Sequence, residues 1–165
     1  MTDRVRIWKF GDDIDTDALA PGQYMNAPLD QLSAHCLESV NAGFAVNVKP
    51  GDIIAAGFNF GAGSSREQAA QALRHLGVSA VIAKSFAGIF YRNAINVGLP
   101  VFECAVTDQI RDGDTAELDF AQAKLSVTGN TDPIACQPIP GFLMQILADG
   151  GLVPHLEKRF RAGEI

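Results

Sequence analysis

Ser64, Ser65 and Arg66 stand in a row within "FGAGSSREQAAQAL", at the mouth of an alanine- and leucine-rich helical pattern. A helix N-terminus presents unpaired N–H groups and roughly half a positive charge. An arginine adds a planar fork suited to a carboxylate. Serine hydroxyls add donors, or an acceptor for a proton. Gly61 and Gly63 let a ligand approach the backbone closely. Together these features describe an anion site. The plainer alternative is a capping box, with Ser64 as N-cap and Glu67 three residues later, and both can hold at once. Nucleotide chemistry fails on named residues. A Walker loop needs a lysine before its Ser/Thr, and a dinucleotide fingerprint needs glycine where Arg66 stands. A nucleophile elbow needs Gly-x-Ser-x-Gly, a frame that neither serine has.

Two further clusters could carry chemistry. In "GDDIDTDALAPGQY", Asp13, Asp15 and Asp17 alternate like the start of a calcium loop. The sixth position, however, is Ala18 rather than glycine, and the twelfth is Tyr24 rather than glutamate. The segment is expected to be an acidic loop that orders the Arg66 turn through an Asp–Arg contact, or simply a solvated one. In "KSFAGIFYRNAINVGLP", Lys84, Arg92 and Asn93 are the polar groups of an apolar stretch, and Arg92 is expected to snorkel to solvent. His35, His75 and His155 have no paired partner in sequence and read as surface or helix-end residues. Cys36, Cys104 and Cys136 lie far apart without a CxxC pair. They are expected to be free core thiols, with no metal or cluster bound by this chain.

The elements that must hold these groups form a strand–helix–strand–helix–strand rhythm from Ile53 to Cys104, a parallel α/β unit. An opening strand spans Val5–Phe10, with Val5, Ile7 and Lys9 on one face. A helix spans Leu29–Val40, capped by Asp30. "KPGD" at Lys49–Asp52 is a turn. The helix after the serine–arginine turn ends at Gly77, and a second runs from Phe86 to Gly98. Asp112–Thr128 reads as antiparallel strands, and Pro140–Phe160 as two short helices broken at Gly150–Gly151. No linker divides the 165 residues, which are expected to form one domain, 1–165. A net charge of −6 argues against nucleic acid or an anionic membrane as partner. No apolar run approaches a membrane span, and the opening "MTDRVRIWKF" is not a leader, so a cytoplasmic location is expected.

The segments "GDDIDTDALAPGQY", "GFNFGAGSSREQAAQAL" and "AVIAKSFAGIFYRNAINVGLPV" resemble, in order from Trp8 to Val101, the small subunits of 3-isopropylmalate dehydratase and its homoaconitase-like relatives. The same module is the swivelling C-terminal domain of aconitase. The resemblance implies an α/β fold, a three-layer β/β/α swivelling domain of the aconitase C-terminal type. It implies a two-subunit hydro-lyase, a heterodimer or heterotetramer, whose separate large subunit carries a [4Fe-4S] cluster. By motif position, Ser64 is the base that takes a proton beside a carboxylate. Ser65 supports it or binds substrate, and Arg66 clamps a substrate carboxylate. Asp17 corresponds to an acidic residue near the aconitase site. Tyr24, Met25, Asn26 and Ala27 fall where the family selects the substrate's variable group. An arginine there suits a tricarboxylate, and none is present. The implied substrate is an alkylmalate, isopropylmalate of leucine biosynthesis first, then citramalate or 2,3-dimethylmalate, with homoaconitate disfavoured. A stand-alone carboxylate-binding module is the rival from another class. Three departures stand out: Ala62 where relatives often have cysteine, Gln68 where many have histidine, and Gly88 where an arginine or aspartate is frequent.

Overall fold

A computed structural model describes residues 3–165. Seven strands form one sheet: β1 Val5–Lys9, β2 Ile53–Ala56, β3 Ala80–Ala83, β4 Val101–Glu103, β5 Thr115–Asp119, β6 Lys124–Val127 and β7 Ile134–Ala135. Their spatial order is β4-β3-β2-β1-β5-β6-β7. The first four run parallel, and the last three join antiparallel through β1 and β5.

The burial pattern explains the layers. Every residue of β2 and β3 is buried, as expected of parallel strands covered on both faces. Trp8, Ile54, Ala56, Val81 and Ala83 face one core, shared with two crossover helices. In chain order the first helices are α1 Thr16–Leu19, α2 Leu29–Ser33, α3 Phe44–Asn47, α4 Glu67–His75 and α5 Gly88–Asn96, and the two crossovers are α4 and α5. Ala69, Ala70 and Ala72 are fully buried on α4, and their small size lets that helix sit close to the sheet. Alternate residues Ile7, Ile53, Ala55, Ala80, Ile82 and Phe102 face a second core with Leu118, Leu125, Val127 and Ile134 of the antiparallel arm. The sheet therefore curls over itself: helices, parallel strands, antiparallel strands. That is the expected three-layer β/β/α order.

The curl brings the two ends of the sheet together. The Gln137 N–H donates to the Glu103 carbonyl at 2.8 Å. Cys104 and Cys136 adjoin at this seam, a meeting that their wide separation in sequence conceals. The adjoining Cys136 thiol lowers the Cys104 thiol from its ordinary value. All three cysteines are free and buried. The C-terminal helices α6 Gly141–Ala148 and α7 Leu152–Arg161 break at Gly150–Gly151 as expected.

Val5 and Ile7 share one face of β1 as expected, and Trp8 faces the other core because the strand is central in the sheet. Three local expectations are corrected. The helix expected over Leu29–Val40 stops after Ser33 and continues as turns, with Leu37 at φ 60°. Its cap position is Pro28, and Asp30 lies inside the first turn. His35 and His155 do have carboxylate partners, Glu38 and Asp149, each at 2.7 Å.

Candidate active site

The loops leaving β1, β2 and β3 meet at the carboxyl edge of the parallel strands, where open α/β sheets bind their ligands. They are laced together by backbone hydrogen bonds. Phe60 N–H donates to Ser85 O at 3.0 Å, and Ala87 N–H to Phe60 O at 2.9 Å. Gly61 N–H donates to Ile14 O at 2.7 Å, and Thr16 N–H to Ala62 O at 2.8 Å. The middle loop thus runs between its two neighbours like a short extra strand. It needs Gly61 at φ 83°, where a Cβ would lie 2.2 Å from Cγ of Phe90. Gly63, at φ 102°, then turns the chain towards α4.

The acidic loop supports this framework with its carboxylates. Asp12 accepts the Phe58 N–H at 2.7 Å, and Asp13 the Asn59 amide at 3.1 Å. Asp15 caps α1 by accepting the Ala18 N–H at 2.8 Å. Asp17 accepts Arg66 Nη1 at 3.0 Å and the Gly22 N–H at 3.0 Å. The Arg66 hydrogen bond, then the Gly22 N–H, hold the Asp17 carboxyl below the usual carboxylate range. The expected Asp–Arg contact is present. Arg66 Nη1 also donates to Ala20 O at 2.9 Å. One corner of the guanidinium is therefore fixed to the loop, leaving Nε and Nη2 for a ligand.

The capping box is not formed. α4 starts at Glu67, its N-cap is Arg66 in extended conformation, and no side chain caps it. Ser64 lies two residues ahead of the cap, exposed, so its hydroxyl is available for other work. α5 likewise begins without a side-chain cap, at Ala87. Both helix starts border one cavity of about 170 Å³, lined by Thr16, Gly61, Gly63, Ser64, Ser65, Arg66, Ala87, Gly88, Ile89, Phe90 and Asn93. Ser64, Ser65, Arg66, Gly61 and Gly63 are thus brought together, with Asp17 behind Arg66. A larger hollow of about 550 Å³ lies beside α6 and α7. There His155 and Lys158 contact Asp149, and Arg159 contacts Glu164, so those side chains already have partners.

Tyr24, Met25, Asn26 and Ala27 do not line the serine cavity. Tyr24 stacks on His35 with ring centroids 3.7 Å apart, and Met25 packs on the helix-side core. Asn26 is exposed. Thr16, Gly88, Ile89 and Asn93 are cavity residues that pattern reading did not assign to the site. Asn93 carried one signal, as an amide four residues after Ile89 in an apolar helix. Among the described residues no group of three or more His, Cys, Asp or Glu side chains is placed to hold a metal, and no helix is long and apolar enough to cross a membrane.

Comparison with known proteins bears on this geometry. The aconitase C-terminal domain family matches residues 15–104. A 3-isopropylmalate dehydratase small subunit from Syntrophus aciditrophicus is 50% identical over 158 residues, covering 94% of this chain and 96% of that one. A methanogen homoaconitase small subunit from Methanocaldococcus jannaschii is 51% identical, covering 93% and 91%. A crystal structure of 3-isopropylmalate dehydratase from Methanocaldococcus jannaschii superposes with a TM-score of 0.92 at 48% identity, covering 97% of this chain and 96% of that one.

Proposed function

Since the chain belongs to the 3-isopropylmalate dehydratase small-subunit family, built on the aconitase C-terminal domain, we propose that it is the substrate-closing half of a two-subunit hydro-lyase acting on an alkylmalate. The favoured substrate is isopropylmalate in leucine biosynthesis, handled in the cytoplasm with a separate large subunit. The observation that carries this reading is the Ser64–Ser65–Arg66 turn at an uncapped helix start on the carboxyl edge of the sheet.

The reaction removes a proton from the carbon beside a carboxylate and a hydroxide from its neighbour, leaving an alkene diacid and water. Readdition with the opposite orientation gives the isomer. Ser64 is the group that takes and returns the carbon-bound proton. A serine hydroxyl is a weak acid, so its alkoxide needs a stabilising field. The uncapped start of α4 and the Arg66 guanidinium supply it. Arg66, braced by Asp17 and Ala20, holds a substrate carboxylate with Nε and Nη2. An iron–sulfur cluster on the large subunit would act as Lewis acid on the leaving hydroxyl.

The cavity's lining supports this reading, because it joins both serines and Arg66 at two helix starts that no side chain caps. The homoaconitase small subunit at 51% identity supports a second reading, in which the substrate is a tricarboxylate. Co-purification with a large subunit and an anaerobic substrate panel decides between them. A chain that binds carboxylates without any large subunit, and adds no activity to one, would instead be a stand-alone binding module.

A further inference from the structure

Two polar side chains in the Ser64 cavity have no task within the chain. Thr16 is only 4% exposed. Its backbone is fully used, with N–H to Ala62 O and carbonyl from Ala20 N–H, both at 2.8 Å. Its hydroxyl finds no partner among the described residues, although it lines the cavity. The hydroxyl abuts Gly63, 3.1 Å from the point where a Cβ there would lie. Asn93 lines the same cavity from α5. Phe90 and Ala94 point from that helix into the core and Arg92 out to solvent, while the half-buried Asn93 amide also lacks a partner among the described residues. Both side chains open onto the cavity, where their donors are available to a ligand.

The donor count says what that ligand is. An ionised carboxylate offers about four lone-pair sites. Arg66 has committed Nη1 to Asp17 and Ala20, so its fork can satisfy two of them. Resting on the function proposed above, we infer that the Thr16 hydroxyl and the Asn93 amide NH₂ are substrate-binding groups. They donate to the remaining lone pairs of the carboxylate held by Arg66. Coming from the start of α1 and from α5, they fix the rotation of that carboxylate and so the position of the adjoining carbon before Ser64.

The test uses the reconstituted two-subunit enzyme with Asn93→Ala, Asn93→Asp, Thr16→Val and Thr16→Ser, measuring kcat and KM separately. Loss of one donor to a charged acceptor should raise KM about tenfold in Asn93→Ala and Thr16→Val. Asn93→Asp places like charge against the carboxylate and should raise KM at least about a hundredfold. Thr16→Ser restores the hydroxyl and should recover most of what Thr16→Val loses. A purely structural role predicts altered thermal unfolding with KM unchanged and no difference between Ala and Asp at position 93. KM within about twofold of wild type in Asn93→Asp and Thr16→Val overturns the inference. If Asn93→Asp fails to fold, the Thr16→Val and Thr16→Ser pair decides. Ser64→Ala assayed alongside separates the two levels. An inactive Ser64→Ala with unaffected Thr16 and Asn93 variants defeats only this inference, whereas a fully active Ser64→Ala defeats the proposed chemistry beneath it.

Discussion

At the scale of single residues, the absence of a capping bond from Ser64 sharpens what its removal should do. Ser64 is exposed and two positions ahead of the true cap, so Ser64→Ala should shift stability by no more than about 0.5 kcal/mol. Turnover of the reconstituted enzyme should fall about a thousandfold, the scale of a lost acid–base group. Urea denaturation of the chain and anaerobic turnover together check both halves. Arg66 makes a different test. The Asp17 carboxyl, held below its ordinary value by Arg66, is charged more readily in the folded chain. A depressed folded pKa contributes stability above the unfolded value of about 3.9 and loses it as pH falls through the folded one. The stability difference between wild type and Asp17→Asn should be constant near neutral pH and shrink below about pH 4. Denaturation curves of both proteins from neutral pH down to about pH 2.5 measure it, and a difference independent of pH would remove Asp17 as the brace. The serine–arginine turn was legible in sequence because spacing puts donors near a helix start, whereas Asp17 was singled out only by the family resemblance, its contact with Arg66 spanning 49 residues. Thr16 and Asn93 were not legible, because only the packing of α1 and α5 around the serine turn brings them to one cavity.

Elements position that cavity through a backbone only glycine permits. Gly61 has a positive φ and is packed against Phe90, while Gly88, at the first position of α5, has no unusual φ and open space within 4 Å of where a Cβ would stand. Gly61→Ala should therefore cost about 2 kcal/mol or more, combining left-handed strain with overpacking. Gly88→Ala should be neutral or stabilising by about 0.5 kcal/mol, as expected where alanine reduces unfolded-state freedom. Chemical denaturation of both variants tests the contrast, and equal effects would mean that the Gly61–Phe90 contact does not set the loop. The parallel unit and the two C-terminal helices could be read from periodicity because their apolar runs are long and end in glycine or proline. The opening strand's second buried face could not, since its central place is created by strands arriving later in the chain. The early end of α2 was equally hidden. Leu32, Cys36 and Val40 keep helical spacing, yet Leu37 takes a positive φ and turns into the core, where it is wholly buried.

For the whole molecule the open question is how the substrate's variable group is chosen. Tyr24–Ala27 lie outside the serine cavity but are tied to it: the Gly22 N–H is held by Asp17, and Asp17 by Arg66. Similarity does not decide the substrate, because relatives named for isopropylmalate and for homoaconitate are 50% and 51% identical. Charge does favour one side. A third carboxylate beside Tyr24–Ala27 would meet no arginine in that segment and would carry a desolvation cost of several kcal/mol. A buried alkyl carbon would gain roughly 0.8 kcal/mol instead. The reconstituted wild type should accordingly prefer alkylmalates. The four loop residues differ in how freely they can be changed. Tyr24 is stacked on His35 and Met25 is packed against the core, so an arginine at either position disturbs folding. Asn26 is exposed and free to point towards a closing partner. Asn26→Arg should therefore raise kcat/KM for a tricarboxylate relative to isopropylmalate by at least about tenfold, with thermal stability unchanged. Met25→Arg should lose stability first. A wild type that turns over the tricarboxylate best, with a ranking indifferent to Asn26→Arg, would mean that the large subunit alone selects the substrate.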